Sequence, residues 1–354
     1  MGLSSFGGWP GVLGRLFAGE SLGLEEAAAA VDSVLAGEAT PAQVAAFLAA
    51  LRTKGETVEE LTGLVRAIRA RAVPLDIPGD LLDTCGTGGD RSGTINVSTI
   101  SALVAAAAGA RVCKHGNRAA SSNAGSADIL EALGVAVDLG PAGVARCVEE
   151  VGIGFCLAQR YHPALRAAAP IRRELGVATV FNFIGPLANP AHANRQLVGV
   201  GDPVMAEKML GVLEANGVLH AMVVYGNDGL DELTTVTTST VLETVLEGGG
   251  ATYRRSSYQV DATQLGLPRA ELSQLTGGSP EVNAQLAREV LAGSSGPRRD
   301  FVVLNAGAAL VVAGLAADLA GGVELAGAVL SSGAALAKLD KLVELSQSEA
   351  AQDR

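Results

Sequence analysis

Three short apolar runs in this chain each break off into a loop of glycine, amide or charged residues. LLDTC (81–85) runs into GTGGD, ARVC (110–113) into KHGNR, and AMVVYG (221–226) into NDGLDE. VAVDL, IGFCLA and QLVGVG are further strand-like runs, and helical stretches lie between several of them. That alternation is the signature of a mostly parallel sheet covered by helices. Ligands of such sheets sit in loops beyond the carboxyl ends of the strands. All three loops fall on that edge.

The region before it contains no strand pattern. Residues 24–36 carry Glu25 and Glu26 in the first turn and stop at Gly37. Thr40-Pro41 supplies an N-cap with proline at the first helical position, and Thr57 opens another helix with Glu59 and Glu60 near its start. Arg66, Arg69 and Arg71 lie toward its end, as the helix dipole prefers. A small helical domain closed by Pro74 and Pro78 is expected. Residues 162–190 interrupt the later alternation with a helix opening at Pro170 and a segment containing Gly185-Pro186 and Asn189-Pro190, an excursion back to the helical domain. The last residues, QSEAAQDR, read as a frayed tail.

With 354 residues the chain can bury a large core, and 45 glycines with only 3% aromatics favour close-packed helices and tight turns. A net charge of −11 argues against a general nucleic-acid binder, so an anionic ligand has to be held by local features. Cys85, Cys113, Cys147 and Cys156 form no CxxC pair and read as reduced thiols in a cytoplasmic protein. No basic region precedes an apolar core at the N-terminus, so no secretory leader is expected. The most apolar stretch, from Phe301, is interrupted by Asn305, Asp318 and Glu324 and reads as two buried helices rather than a membrane span of about 20 apolar residues.

Chemistry concentrates between 83 and 134. Gly86-Thr87-Gly88-Gly89-Asp90 matches neither a P-loop nor a GxGxxG fingerprint and reads as a turn as readily as a phosphate loop. Asn96-Val97-Ser98-Thr99 immediately precedes a helix, where unpaired N–H groups and the dipole favour anions; an ordinary N-cap fits as well. Lys114-His115-Gly116-Asn117-Arg118 brings two permanent cations, one of them among only five lysines. Ser121, Ser122 and Ser126 add hydroxyls. Asp231 and Glu232 are adjacent carboxylates, which repel unless solvated or bridged, and hard oxygen ligands of this kind suit Mg²⁺ beside phosphate. Arg172, placed in the first turn of its helix, either faces an anion or pairs with Glu174.

Taken together, DTCGTGGD, NVST, KHGNRAASS, GSADILEALG, HPALRAAAPIRRELG, FNFIGPLANP and GLDEL resemble the motifs of the anthranilate phosphoribosyltransferase family, within the nucleoside phosphorylase–transferase superfamily. They occur in the family's order, and the resemblance spans about residues 12 to 345. It implies an α/β fold class: a small all-helical N-terminal domain (1–76 with about 163–190) and a larger α/β domain (77–162 with 191–354) whose mostly parallel central sheet is flanked by helices. It implies transfer of a phosphoribosyl group from phosphoribosyl diphosphate to anthranilate in tryptophan biosynthesis, with Mg²⁺ as cofactor. The protein would be a cytoplasmic homodimer joined through the helical domain, with neither nucleic acid nor membrane as partner. Gly86, Gly89, Asp90, Thr94, Asn96, Val97, Ser98, Thr99, Lys114, Ser121, Ser122 and Ser126 would contact the diphosphate substrate. Gly86, His115, Asn117 and Arg172 would take anthranilate, Arg172 facing its carboxylate. Ser98, Asp231 and Glu232 would serve the metal. No residue stands out as a general acid or base. A nucleoside phosphorylase and a non-catalytic nucleic-acid-binding relative of the same fold are the alternatives.

Overall fold

Helices Gly8–Phe17, Leu24–Leu35, Pro41–Lys54 and Val58–Ala70 open the chain, in a computed structural model that describes residues 2–352 except 91, 120–122 and 251. Two of the helices begin with reciprocal capping boxes: Thr40 with Gln43, and Thr57 with Glu60. Glu60 does more than cap. Its buried carboxylate also accepts from Leu22 N–H at 2.9 Å and Lys54 Nζ at 2.9 Å, tying together the starts of two helices and the end of a third. Phe47, Leu48, Leu51, Leu61 and Leu64 fill the bundle's centre with almost no exposure.

Seven strands follow: β1 (Leu82–Gly86), β2 (Val112–Gly116), β3 (Ile153–Leu157), β4 (Arg195–Gly199), β5 (His220–Gly226), β6 (Thr238–Glu247) and β7 (Thr252–Asp261). They form one sheet in the order β3-β2-β1-β4-β5-β6-β7. The first five are parallel, while β6 and β7 pair antiparallel as a hairpin at one edge. The sheet is thus mostly parallel, with an antiparallel extension that the strand pattern had not indicated. One face is covered by helices that include Val97–Ala107 and Pro297–Val312. The other packs on helix Pro203–Ala215, and through it on the bundle. Ala168, Val180, Phe181, Phe183 and Ile184 share the bundle's apolar core, so the 163–190 segment leans on the bundle.

Two expectations are corrected. VAVDL (135–139) is a buried loop, not a strand. Val135, Val137 and Leu139 pack inward, but Ala136 N–H donates to Ser346 Oγ at 3.0 Å instead of joining a ladder. The tail expected to fray is helical as far as it is described, since helix Ala334–Gln352 runs through residues 347–352; Asp353 and Arg354 lie outside the described residues. Glu349 is buried there and ion-paired with Arg146. The apolar stretch from Phe301 forms parts of two helices, Pro297–Val312 and Leu319–Ser331. Among the described residues no single helix is long and apolar enough to cross a membrane.

β5 lies two strands from β1, yet the loop after it reaches β1. It does so by crossing the end of β4 at Gly199, where a Cβ would run into the backbone carbonyl of Asp231. Gly199→Ala should therefore cost about 1–3 kcal/mol, the usual penalty of forced overpacking. Denaturant titration measures it, and an unchanged midpoint would mean that the loop shifts freely off β4.

Candidate active site

β1 ends at Gly86 and the chain turns with Gly88 at φ +67° and Gly89 at φ +85°. That backbone is left-handed, which glycine adopts without strain. Gly88 N–H donates to Asp231 Oδ2 at 2.6 Å, so the carboxylate loop is anchored in the glycine loop. Gly86 is glycine for a related reason: its Cβ would lie 2.6 Å from the same oxygen.

A cavity of about 370 Å³ opens at this point of the sheet edge. Gly86, Gly89, Asp90 and Thr94 line it from the first loop, and Asn96, Val97, Ser98 and Thr99 from the start of helix Val97–Ala107. β2 and the loop after it contribute Lys114, His115, Asn117 and Ser126. Asp231, Glu232 and Arg172 complete the set from distant sequence. Ser121 and Ser122 lie outside the described residues. Asn182 and Asn283 also line the cavity and were not singled out from the sequence. A wider groove of about 530 Å³ beside Asp138 and Arg160 has no such convergence of phosphate-type groups, and Arg160 is already bound to Asp138 there.

The charges around the cavity are incompletely matched. Asp231 is buried; burial, with Asp90 beside it, pushes its carboxyl up to about 7 despite the Gly88 N–H. Glu232 is driven up as well, by burial and then by Asp231. Lys114 is buried too, and its Nζ donates to the Thr84 carbonyl and to Ser98 Oγ at 3.5 Å, with no ion pair among the described residues. Arg118, the second cation of that motif, is turned to Glu131 in a two-pronged pair.

Arg172 is half-buried, its guanidinium 5.4 Å from the Phe181 ring centre. It is the fourth of the seven residues of helix Ala169–Leu175, so it belongs to the turn that opens the helix and equally to the one that closes it. It does not pair with Glu174, and among the described residues it has no carboxylate partner. Thr99 Oγ1 and His115 Nε2 are likewise buried without hydrogen-bond partners there.

Beneath the cavity lies a network that sequence reasoning missed. Asp83, fully buried on β1, accepts from His115 N–H at 3.1 Å and from Asn189 Nδ2 at 2.8 Å. Asn189 also donates to the Cys113 carbonyl at 2.8 Å. One carboxylate thus ties β2 to the GPLANP turn. Burial raises it to about 6, against the pull of Lys114. His115 packs edge-on against His162 at 5.0 Å, and burial pushes both imidazoles down, His162 to about 4. Burial also raises the Cys85 thiol, which removes it as a nucleophile.

A helical bundle on a parallel sheet, with phosphate-type loops and facing carboxylates at the sheet's carboxyl edge, defines a two-part glycosyl transferase. The models of that class match: "Glycosyl transferase family, helical bundle domain" over 10–72 and "Glycosyl transferase family, a/b domain" over 78–336. The anthranilate phosphoribosyltransferase of a Nocardioides species is 55% identical over 340 residues, covering 95% of this chain and 98% of its own. The crystal structure of that enzyme from Thermus thermophilus superposes with a TM-score of 0.89 at 45% identity, covering 95% of this chain and 99% of the other. The Saccharomyces cerevisiae enzyme in complex with PRPP and Mg gives 0.86 at 26% identity, covering 98% of each chain. The chain belongs to the anthranilate phosphoribosyltransferase family.

The buried histidines set an acid limit on stability. An unfolded histidine takes up its proton near pH 6.5, while folded His162 resists it until about 4. The stability this gives is present above 6.5 and is lost as pH falls through that window. Asp83 acts with the opposite sign, favouring the fold below about 4 and losing that contribution as pH rises to about 6. His162→Leu should flatten the acid limb of denaturant-measured stability by about 1.4 kcal/mol per pH unit between 6.5 and 4. An acid limb as steep as in the parent protein would refute this assignment.

Proposed function

We propose that this chain transfers the phosphoribosyl group of 5-phosphoribosyl 1-diphosphate to the amine of anthranilate, giving N-(5-phosphoribosyl)anthranilate and pyrophosphate, a step of tryptophan biosynthesis. The observation that carries the assignment to this cavity is its pattern of unmet charge. Two cations, Lys114 and Arg172, lack carboxylate partners among the described residues, while Asp231 and Glu232 crowd together. A diphosphate and a small aromatic carboxylate meet the first need, and a divalent cation the second.

The donor set suits Mg²⁺. Among the described residues no three or more His, Cys, Asp or Glu side chains close around an ion. Mg²⁺ is commonly shared between one or two carboxylates, water and substrate phosphate, which is what Asp231 and Glu232, with the Ser98 hydroxyl, can offer. Bound there, the ion would neutralise charge building on the departing pyrophosphate.

The remaining work falls to the chain. The glycine-loop amides and the helix start at Asn96–Thr99 cradle phosphate oxygens, and Lys114, with Ser126, adds charge and a hydroxyl. Arg172 takes the anthranilate carboxylate, with its guanidinium stacked on Phe181. Asn117 and neutral His115 border the acceptor side. An aromatic amine is a weak nucleophile, so bond breaking runs ahead of bond making, and stabilising the leaving group with orientation of the acceptor supplies the rate. No side chain is assigned as general acid or base. We further read the bundle with 163–190 as one unit that carries Arg172 and forms a homodimer contact, in keeping with Phe17, 68% exposed at the end of the first long helix. Four free, buried thiols fit a cytoplasmic setting.

Mixing the protein with anthranilate, phosphoribosyl diphosphate and Mg²⁺ should quench anthranilate fluorescence with time; absence of turnover would sink the assignment. Arg172→Ala should raise the KM for anthranilate by about 10- to 100-fold, the loss of a charge-assisted hydrogen bond, and leave the other substrate's KM nearly unchanged. A change confined to the diphosphate KM would reverse the two halves of the pocket. Asp231→Asn with Glu232→Gln should raise the Mg²⁺ requirement while the ligand-free protein melts no lower, because two crowded carboxylates, one buried and one half-buried, are removed. An unaltered Mg²⁺ requirement would take the metal away from this pair.

A further inference from the structure

Asn283 belongs to none of the segments that carry the family resemblance, yet it is only 3% exposed and lines the cavity. It sits near the start of helix Pro280–Leu291. Its Oδ1 accepts from Gly278 N–H at 2.7 Å, and its Nδ2 donates to Asn96 Oδ1 at 2.9 Å. Asn96 Nδ2 in turn donates to the Ala124 carbonyl at 2.9 Å. The polarity of this chain has no freedom. A backbone N–H can only donate and a backbone carbonyl can only accept, so neither carboxamide between them can flip without placing like groups face to face.

We propose that Asn283 is a positioning residue for the diphosphate half of the site, acting through Asn96. This inference rests on the phosphoribosyl-transfer reading above. Asn96 has two N–H groups. Ala124 takes one, and the orientation that Asn283 imposes leaves the other for a phosphate oxygen at the helix start. A backbone strap holds the Asn283 side chain in this place. Residues 275–278 form a strap bound to 93–95 by Ile95 N–H to Leu275 O at 3.0 Å, Gly277 N–H to Gly93 O at 2.8 Å, and an antiparallel bridge between Thr94 and Thr276. Asn283 packs directly under that strap, so closely that a Cβ on Gly277 would run into its carboxamide.

The test compares two substitutions. Asn283→Asp keeps the bond to Gly278 N–H but turns an oxygen toward Asn96 Oδ1, so Asn96 must flip and oppose the Ala124 carbonyl. Asn283→Ala removes the constraint without that conflict. The Ala variant should raise the KM for phosphoribosyl diphosphate about tenfold, roughly one hydrogen bond to a charged group, and the Asp variant should raise it further. The KM for anthranilate should stay within about twofold in both. In an Asn96→Ala background, Asn283→Ala should add less than about twofold, because it acts through the missing side chain. Additive effects, or a shift confined to anthranilate, would overturn the inference. Calorimetric titration of phosphoribosyl diphosphate into each variant reads the same coupling without turnover. Parent protein that binds the diphosphate without turning over would undo the transfer reading and leave this one standing. Parent protein that fails to bind it would undo both.

Discussion

The site depends on one close passage. The loop carrying Asp231 and Glu232 leaves β5, crosses the end of β4 over Gly199, and lands on the Gly88 amide beside Gly86. Two glycines without side chains make room for it, and left-handed glycines in the next turn present the amide. With ordinary residues at Gly86 and Gly199, the carboxylates could not reach the phosphate-type loop. The parallel sheet supplies the rest: its strands fix the three loops on one edge, in register, over a core that does not yield.

That passage has an electrostatic cost. Three carboxylates gather there, Asp231 buried and Asp90 and Glu232 half-buried, and two of them are pushed toward their neutral forms. Opposite them, among the described residues, the hydrogen bonds of a buried ammonium, Lys114, go to a carbonyl and a hydroxyl. A fold that buries charges of both signs without pairing them is less stable than it could be. The arrangement suits the ionic ligands we propose for it, a metal at the acids and a phosphate at the base. In a chain of net charge −11, such local complementarity is the only electrostatic route to an anionic substrate.

The sequence made much of this legible because the signals were local. A glycine loop after a strand, a polar helix start, paired carboxylates after another strand and the helix starts at Thr40 and Thr57 are each read within a few residues. What escaped was nonlocal. Asp83 meets Asn189 across 106 positions and Asn283 meets Asn96 across 187, and nothing in the neighbourhood of any of the four marks the pairing. VAVDL misled for a related reason. Alternating burial looks the same whether the backbone bonds to a strand or, as at Ala136, to a serine from the C-terminal helix. Arg172 was marked by its place near the helix start, whereas the lack of a carboxylate partner among the described residues shows only in the structure.

The two halves of the cavity are built by different physics. The side we assign to the diphosphate rests largely on backbone amides, a helix start and glycine turns fixed by the sheet, with Lys114 and Asn96 added to them. The Arg172 side rests on one long side chain, on a seven-residue helix in a segment that shares its core with the bundle. Backbone donors lose nothing in ordering when a ligand arrives, whereas an arginine must give up rotamer freedom unless something already restrains it. Phe181 provides that restraint, lying against the guanidinium in a way that suits the proposed pairing of its N–H groups with a planar carboxylate. The acceptor side therefore depends on how the bundle and its appended segment sit on the sheet, and the phosphate side does not. Changes in that packing should reach the acceptor before they reach the diphosphate.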